Sequence, residues 1–174
     1  MIDTFAWTVT LTRDGGTELA LIAASPTAVA DPIAESVPAQ PITREPRDRV
    51  RAGLINSDAD YPNDPYRLYR IGGSGHREQH DLAVAVTVHQ LAADPPWSGL
   101  LDHIVFLARI GLDGSLRPAI PPQALETVVA AAAGAEFRYI VIAAPETTDD
   151  LRLVKGITVV TPADLREVLS CSNP

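Results

Sequence analysis

The sequence is short of several things, and each shortage narrows the field. Of its 174 residues only one is cysteine, Cys171, so no internal disulfide can form. A lone thiol four positions from the end, in a segment expected to fray (171–174), has no rigid electropositive setting that would make it a nucleophile. Lysine is almost absent: Lys155 is the only one, and the remaining basic side chains are arginines. Aromatic residues make up only 5%. No apolar run approaches the roughly 20 residues that span a bilayer. The opening MIDTFAWTVTLT has neither the basic start nor the long apolar core of a secretory signal. The chain is therefore expected to be cytoplasmic.

What remains is an ordinary globular composition, with 46% hydrophobic and 21% charged residues. A chain of this length can bury one core without staples, and a single domain over 1–174 is expected. The formal net charge is −8. That argues against non-specific nucleic-acid binding, which rests on Lys and Arg neutralising phosphates, and favours neutral or basic partners.

Patterning along the chain predicts a mixed α/β architecture, an α+β sandwich with the order ββαβαββαβ(α)βα. Phe5 to Thr12 alternates as a half-buried strand, and Asp14-Gly15-Gly16 turns it back into a second strand over 18–24. The Pro/Ala/Ser-rich stretch 25–41 has no period and is expected to be a flexible loop or a broken helix. Thr43 is placed as the N-cap of a helix to about Ser57, with Pro46 tolerated in the first turn. A third strand covers 66–71. A helix over 79–93 is apolar nearly all round and should be central. A strand over 104–112 turns at Asp113-Gly114. A helix starts at Pro121-Pro122 and is expected to stop at Gly134. Two short strands follow, at 139–143 and 157–160, and then a last helix with Pro162 at its first position.

Several residues invite chemistry. Gly72-Gly73-Ser74-Gly75 has the look of a phosphate loop, but a P-loop needs a lysine to reach the phosphates and none is near. His76-Arg77-Glu78-Gln79-His80 resembles a zinc motif only superficially. The glutamate falls two positions after the first histidine, so it would face away from a shared metal, and no metal or cofactor is expected. Ser74 and Ser115 could serve as nucleophiles with His76 or His80 as base, although neither serine stands in a recognisable motif. Arg44, Arg47 and Arg51 fall at i, i+3 and i+7, one stripe of a helix. They form either an anion- or partner-binding surface or a solvated face pairing with Glu45 and Asp48, and surface base rates favour the solvated face.

The stretch Arg47-Asp48-Arg49-Val50-Arg51-Ala52-Gly53-Leu54-Ile55-Asn56-Ser57, followed by Tyr61-Pro62, resembles the R-D-R-V-R-x-A-[IL]-x-N-S…Y-P segment of ComM-type proteins, bacterial magnesium-chelatase-like AAA+ ATPases of competence. Three later stretches agree in order: His80 to Val86 with Y-D-L-P-I-A-I, Ile110 to Pro118 with a G-E-L-x-L-x-G-x-[LI]-R hairpin, and Ala133-Gly134 with the strand at 139–143. The N-terminal domain of that family is similar to the proteolytic domain of Lon protease. The resemblance thus implies the ribosomal protein S5 domain 2-like fold. Lon uses a serine–lysine dyad, and the Asp81-Leu82 match lays the serine position on Gln79 and the lysine position near Ala124. Neither residue can do that work. The chain also carries no Walker A segment, so the resemblance implies a stand-alone Lon-like domain, a pseudoenzyme. The preferred expectation is a non-catalytic interaction or oligomerisation domain that works with an AAA+ ATPase or by self-association. The alternatives are a divergent serine hydrolase or peptidase using the 72–81 loop and, more weakly, a DNA-processing accessory protein.

Overall fold

The computed structural model of this protein describes residues 4–28, 38–73, 77–93, 98–144 and 154–170. Ser74, His76 and Cys171 lie outside them, as does 29–37 of the proline-rich stretch.

A seven-stranded mixed sheet organises the described residues. Strand β1 (Phe5–Leu11) pairs antiparallel with β2 (Thr17–Pro26) through a turn in which Gly15 holds φ +83°. The Asp-Gly signal anticipated this conformation. β2 pairs antiparallel with β4 (Tyr66–Gly72), and β4 in turn with the edge strand β3 (Ala39–Pro41). On the other side of β1, strands β5 (Ile104–Leu107), β8 (Tyr139–Ile142) and β9 (Thr158–Val160) follow in parallel. The sheet order is β3-β4-β2-β1-β5-β8-β9. A separate small hairpin is formed by β6 (Arg109–Ile110) and β7 (Leu116–Arg117).

Helices α1 (Arg44–Asn56), α2 (Asp81–His89) and α4 (Leu165–Ser170) pack on one face of the sheet, and α3 (Pro122–Gly134) packs on the other. The strands read accordingly. Ile104 and Phe106 join the cluster under α1, α2 and α4, while Val105 and Leu107 join the cluster under α3. Alternation with period two sends neighbouring residues to opposite faces. Because both faces of the parallel half are covered, its strands are continuous apolar runs, IVFL and YIVI. All nine residues of α2 are buried, as its all-round apolar sequence required.

Three local expectations need correction. The 25–41 stretch is strand at 25–26 and 39–41, with a turn at Thr27–Ala28. Ser25 and Pro26 belong to β2, and 39–41 form β3, an edge strand where Pro41 forfeits no ladder donor that an outer neighbour would need. The strand expected over 104–112 breaks at Ala108, whose carbonyl accepts from Leu82 N–H (3.1 Å) at the start of α2. Helix α3, by contrast, ends at Gly134 as expected, and the left-handed residue beyond it is Glu136 (φ +66°). Pro162 lies outside α4. Asp164 is its cap, with Oδ1 accepting from Glu167 N–H (2.9 Å), while Glu167 Oε2 reaches back to Ala163 N–H (2.6 Å).

Candidate functional site

The entrance to α2 holds the residues on which the sequence placed most weight. A 3₁₀ turn (Arg77–His80) precedes the helix. Gln79, at the position laid on the Lon serine, is buried, and its Oε1 accepts a hydrogen bond from Leu11 N–H (2.9 Å) at the end of β1. Its amide thus braces the last residue of a central strand. Ala124 lies in the first turn of α3 and packs with the cluster on the opposite face. Nothing in these contacts joins it to Gln79.

His80 follows, 4% exposed, with neither ring nitrogen hydrogen-bonded. Burial pushes its pKa down to about 4, and the Arg70 guanidinium adds to the effect. It is therefore a neutral imidazole at pH 7. Ser115, the described candidate nucleophile, sits in the β6–β7 turn. Its hydroxyl donates to Asp113 Oδ1 (2.6 Å), and its N–H donates to the same oxygen (3.1 Å). These bonds hold the Asp113 carboxyl below its ordinary pKa and leave it a poor base. Ser115 is thus engaged with Asp113 while His80 has no hydrogen-bond partner, and no Ser–His pair forms among the described residues.

Asp81 opens α2 with a side chain that is fully buried. A charge in that position needs a partner, and Arg49 of α1 supplies it in a two-pronged pair, Nε to Oδ2 at 2.8 Å and a terminal nitrogen to Oδ1 at 3.0 Å. Ile110 N–H also donates to Oδ2 (3.3 Å), so one carboxylate joins α1, α2 and the hairpin. The C-terminal end of α1 grips the same hairpin. Asn56 Nδ2 donates to Leu112 O (2.6 Å), and Gly53 lies against Ile110, where an added Cβ would stand 2.6 Å from its Cγ2. Arg166 of α4 closes the group on Ser57 O (3.2 Å) and Asp58 (2.6 Å). The sequence reading passed over Arg49. A lone aspartate at the head of the run DLAVAVTV was the signal that could have found its need for a cation.

In the arginine stripe Arg44 and Arg51 are exposed, as a solvated face requires, and Arg47 is half-buried, but two of the three lie over aromatic rings. Arg47 lies over the Tyr66 ring (5.0 Å to the centroid) and donates to Tyr66 O (3.3 Å), and Arg51 lies over Tyr61 (5.4 Å). Arg44 is exposed, and the Glu45 carboxylate reaches Arg49 (3.8 Å). The two tyrosines meet edge to face, with centroids 6.1 Å apart and their hydroxyls hydrogen-bonded. Burial, and then this hydrogen bond, push the Tyr66 phenol well above its usual range. Both rings line an open cleft of about 320 Å³ between the loop after α1 and the turn after α2.

Among the described residues no group of three or more His, Cys, Asp or Glu could hold a metal ion, and no helix is long and apolar enough to cross a membrane. No family model and no curated protein matches this chain.

Proposed function

We propose that this chain is a Lon-like domain of the ribosomal protein S5 domain 2-like type that acts by interaction, docking to an AAA+ ATPase or assembling with itself, rather than by hydrolysis. The observation that carries this reading is the state of Gln79. At the position the resemblance assigns to a nucleophile stands a buried amide engaged with the Leu11 backbone, and that is a structural use of the position. The mutual contacts of the segments that bear the resemblance add support. Arg49 of the first segment pairs with Asp81 of the second, and both hold the hairpin of the third through Ile110 N–H and Leu112 O. A framework kept while the catalytic positions change is what a pseudoenzyme requires.

Purification of the tagged protein from its own host, with quantitative mass spectrometry, tests the reading. Recovery of one AAA+ ATPase in fixed stoichiometry is expected, or else concentration-dependent assembly of the purified chain in sedimentation velocity. A chain that comes down alone and sediments as a monomer overturns it. Labelling by a fluorophosphonate probe that is lost on Ser74→Ala or Ser115→Ala would put a divergent hydrolase in its place.

A further inference from the structure

The cleft beside the two tyrosines has a composition that the rest of the surface does not explain. Its apolar wall is made of Tyr61, Tyr66, Pro26, Pro62, Pro65 and Leu91. These are mostly side chains that lose little freedom when a ligand covers them, since proline has no rotamers to freeze and tyrosine has only two torsions. Their backbone is tied down as well. Thr27 N–H donates to Pro65 O (2.9 Å), Ala59 N–H to Leu54 O (3.0 Å), and His89 Nδ1 bonds Asp60 O (3.1 Å). The guanidinium groups of Arg47 and Arg51 hold the rings, but neither arginine lines the cleft. The charged side chains that do line it are two exposed carboxylates, Asp60 and Asp64. The hydroxyl pair has a further consequence. Two phenols that share one hydrogen bond use one proton between them, which leaves the second O–H proton as a donor for a ligand's carbonyl.

We propose that this cleft docks a polyproline II segment of a partner protein that carries arginine or lysine beside its prolines. Rigid aromatic and proline walls accept the ridges of a polyproline II helix, whose backbone is already ordered and whose exposed carbonyls need a donor such as the free phenol proton. Asp60 and Asp64 supply the charge that selects a basic flank, and the acidic balance of the whole chain works in the same direction. This inference deepens the interaction reading by giving the partner's chemistry. Peptide binding by the purified chain and recovery of an ATPase from the host are separate measurements, so each reading can fail alone.

The test is fluorescence anisotropy of a labelled Pro-Pro-Arg repeat peptide titrated with the purified full chain. Two peptides of equal length, one with Glu for Arg and one with Ala for Pro, serve as comparisons. Saturable binding of the first is expected, weaker by about fivefold or more for either comparison and weakened by salt. Tyr61→Ala should abolish it. The double variant Asp60→Asn with Asp64→Asn alters only exposed loop carboxylates, so its folding is not at stake, and it should bind about five- to tenfold more weakly with a flatter salt response. No saturation at millimolar peptide, equal binding of the Glu peptide, or an unchanged Asp60/Asp64 variant overturns the proposal. So does concentration-dependent self-association that Tyr61→Ala removes, because the cleft would then be a contact between copies of this chain.

Discussion

Arg49 and Asp81 are 32 positions apart and meet fork to carboxylate, with the aspartate side chain fully buried and the arginine 19% exposed. The pair ties the helix before β4 to the helix after it. Removing Arg49 takes the two-pronged cationic partner from a fully buried carboxylate, which costs about 3–5 kcal/mol. Arg49→Met is therefore expected to lower the urea unfolding free energy by about that amount. Adding Asp81→Asn should recover part of the loss, since the amide oxygen can still accept from Ile110 N–H. A double-mutant cycle measures the coupling, and additive single effects would show that the pair contributes only packing.

Much of the backbone plan was legible in the sequence because its signals are local. The Asp14-Gly15 and Asp113-Gly114 turns need positive φ and have it at the glycines, and α1 falls within a residue of its expected ends at Thr43 and Ser57. The errors share a cause too. Pro26 and Pro41 fall in a stretch expected to be loop, yet the sheet recruits them because β4 offers a partner, and the strand expected over 104–112 breaks where the Ala108 carbonyl turns to α2. The site was less legible than the fold. Helical spacing singles out Arg44, Arg47 and Arg51, whereas the contacts of Arg47 and Arg51 depend on Tyr66 and Tyr61, which arrive from beyond the helix. The Arg49–Asp81 pair is a tertiary contact that no periodicity encodes.

His80 should make stability depend on pH in a definite window. Its folded pKa, held down to about 4 by burial and then by Arg70, lies below the ordinary value of 6.5. Between those values the unfolded chain binds more protons than the folded one, so stability rises with pH. The contribution is complete above pH 6.5, is lost progressively as the pH falls towards 4, and amounts to about 3 kcal/mol in all. His80→Phe removes the titration and two unpaired buried nitrogens together. The variant should match or exceed the parent at pH 7 and lose less stability by pH 4.5. Urea midpoints at several pH values read the difference, and parallel curves would mean that His80 is solvated or paired.

Three glycines separate close packing from mere permissiveness. Gly114 holds φ +83°, and a Cβ there would collide with Ser57 Oγ. Gly114→Ala should cost about 1–3 kcal/mol from backbone strain alone, and more from the collision. Gly53→Ala drives a methyl against Ile110 and Gly111 O (3.3 Å) and should cost about 1–3 kcal/mol through overpacking. Gly134→Ala, with nothing within 4 Å of the new carbon and a helical backbone, should be neutral or stabilise by up to about 1 kcal/mol. Thermal melts of the three variants test this order, and a destabilising Gly134→Ala would contradict the open surface seen there.

The last prediction concerns Gln79, on which the functional reading rests. Its Oε1 is the acceptor for Leu11 N–H, and the residue is 6% exposed. Gln79→Ala strands that donor at the end of β1 and should cost about 1–3 kcal/mol, with faster hydrogen exchange at the Leu11 amide than at neighbouring β1 amides. Gln79→Ser is the sharper variant, because it writes a hydroxyl at the position the resemblance gives to a nucleophile. A serine reacts only when a base takes its proton, and Ala124 provides none at the paired position. The variant should therefore stay unlabelled by a fluorophosphonate probe and lose stability much as the alanine variant does. Labelling of Gln79→Ser but not of the parent would mean that a base already stands within reach of the α2 entrance. The lost side chain, rather than a lost site, would then separate this domain from a hydrolase.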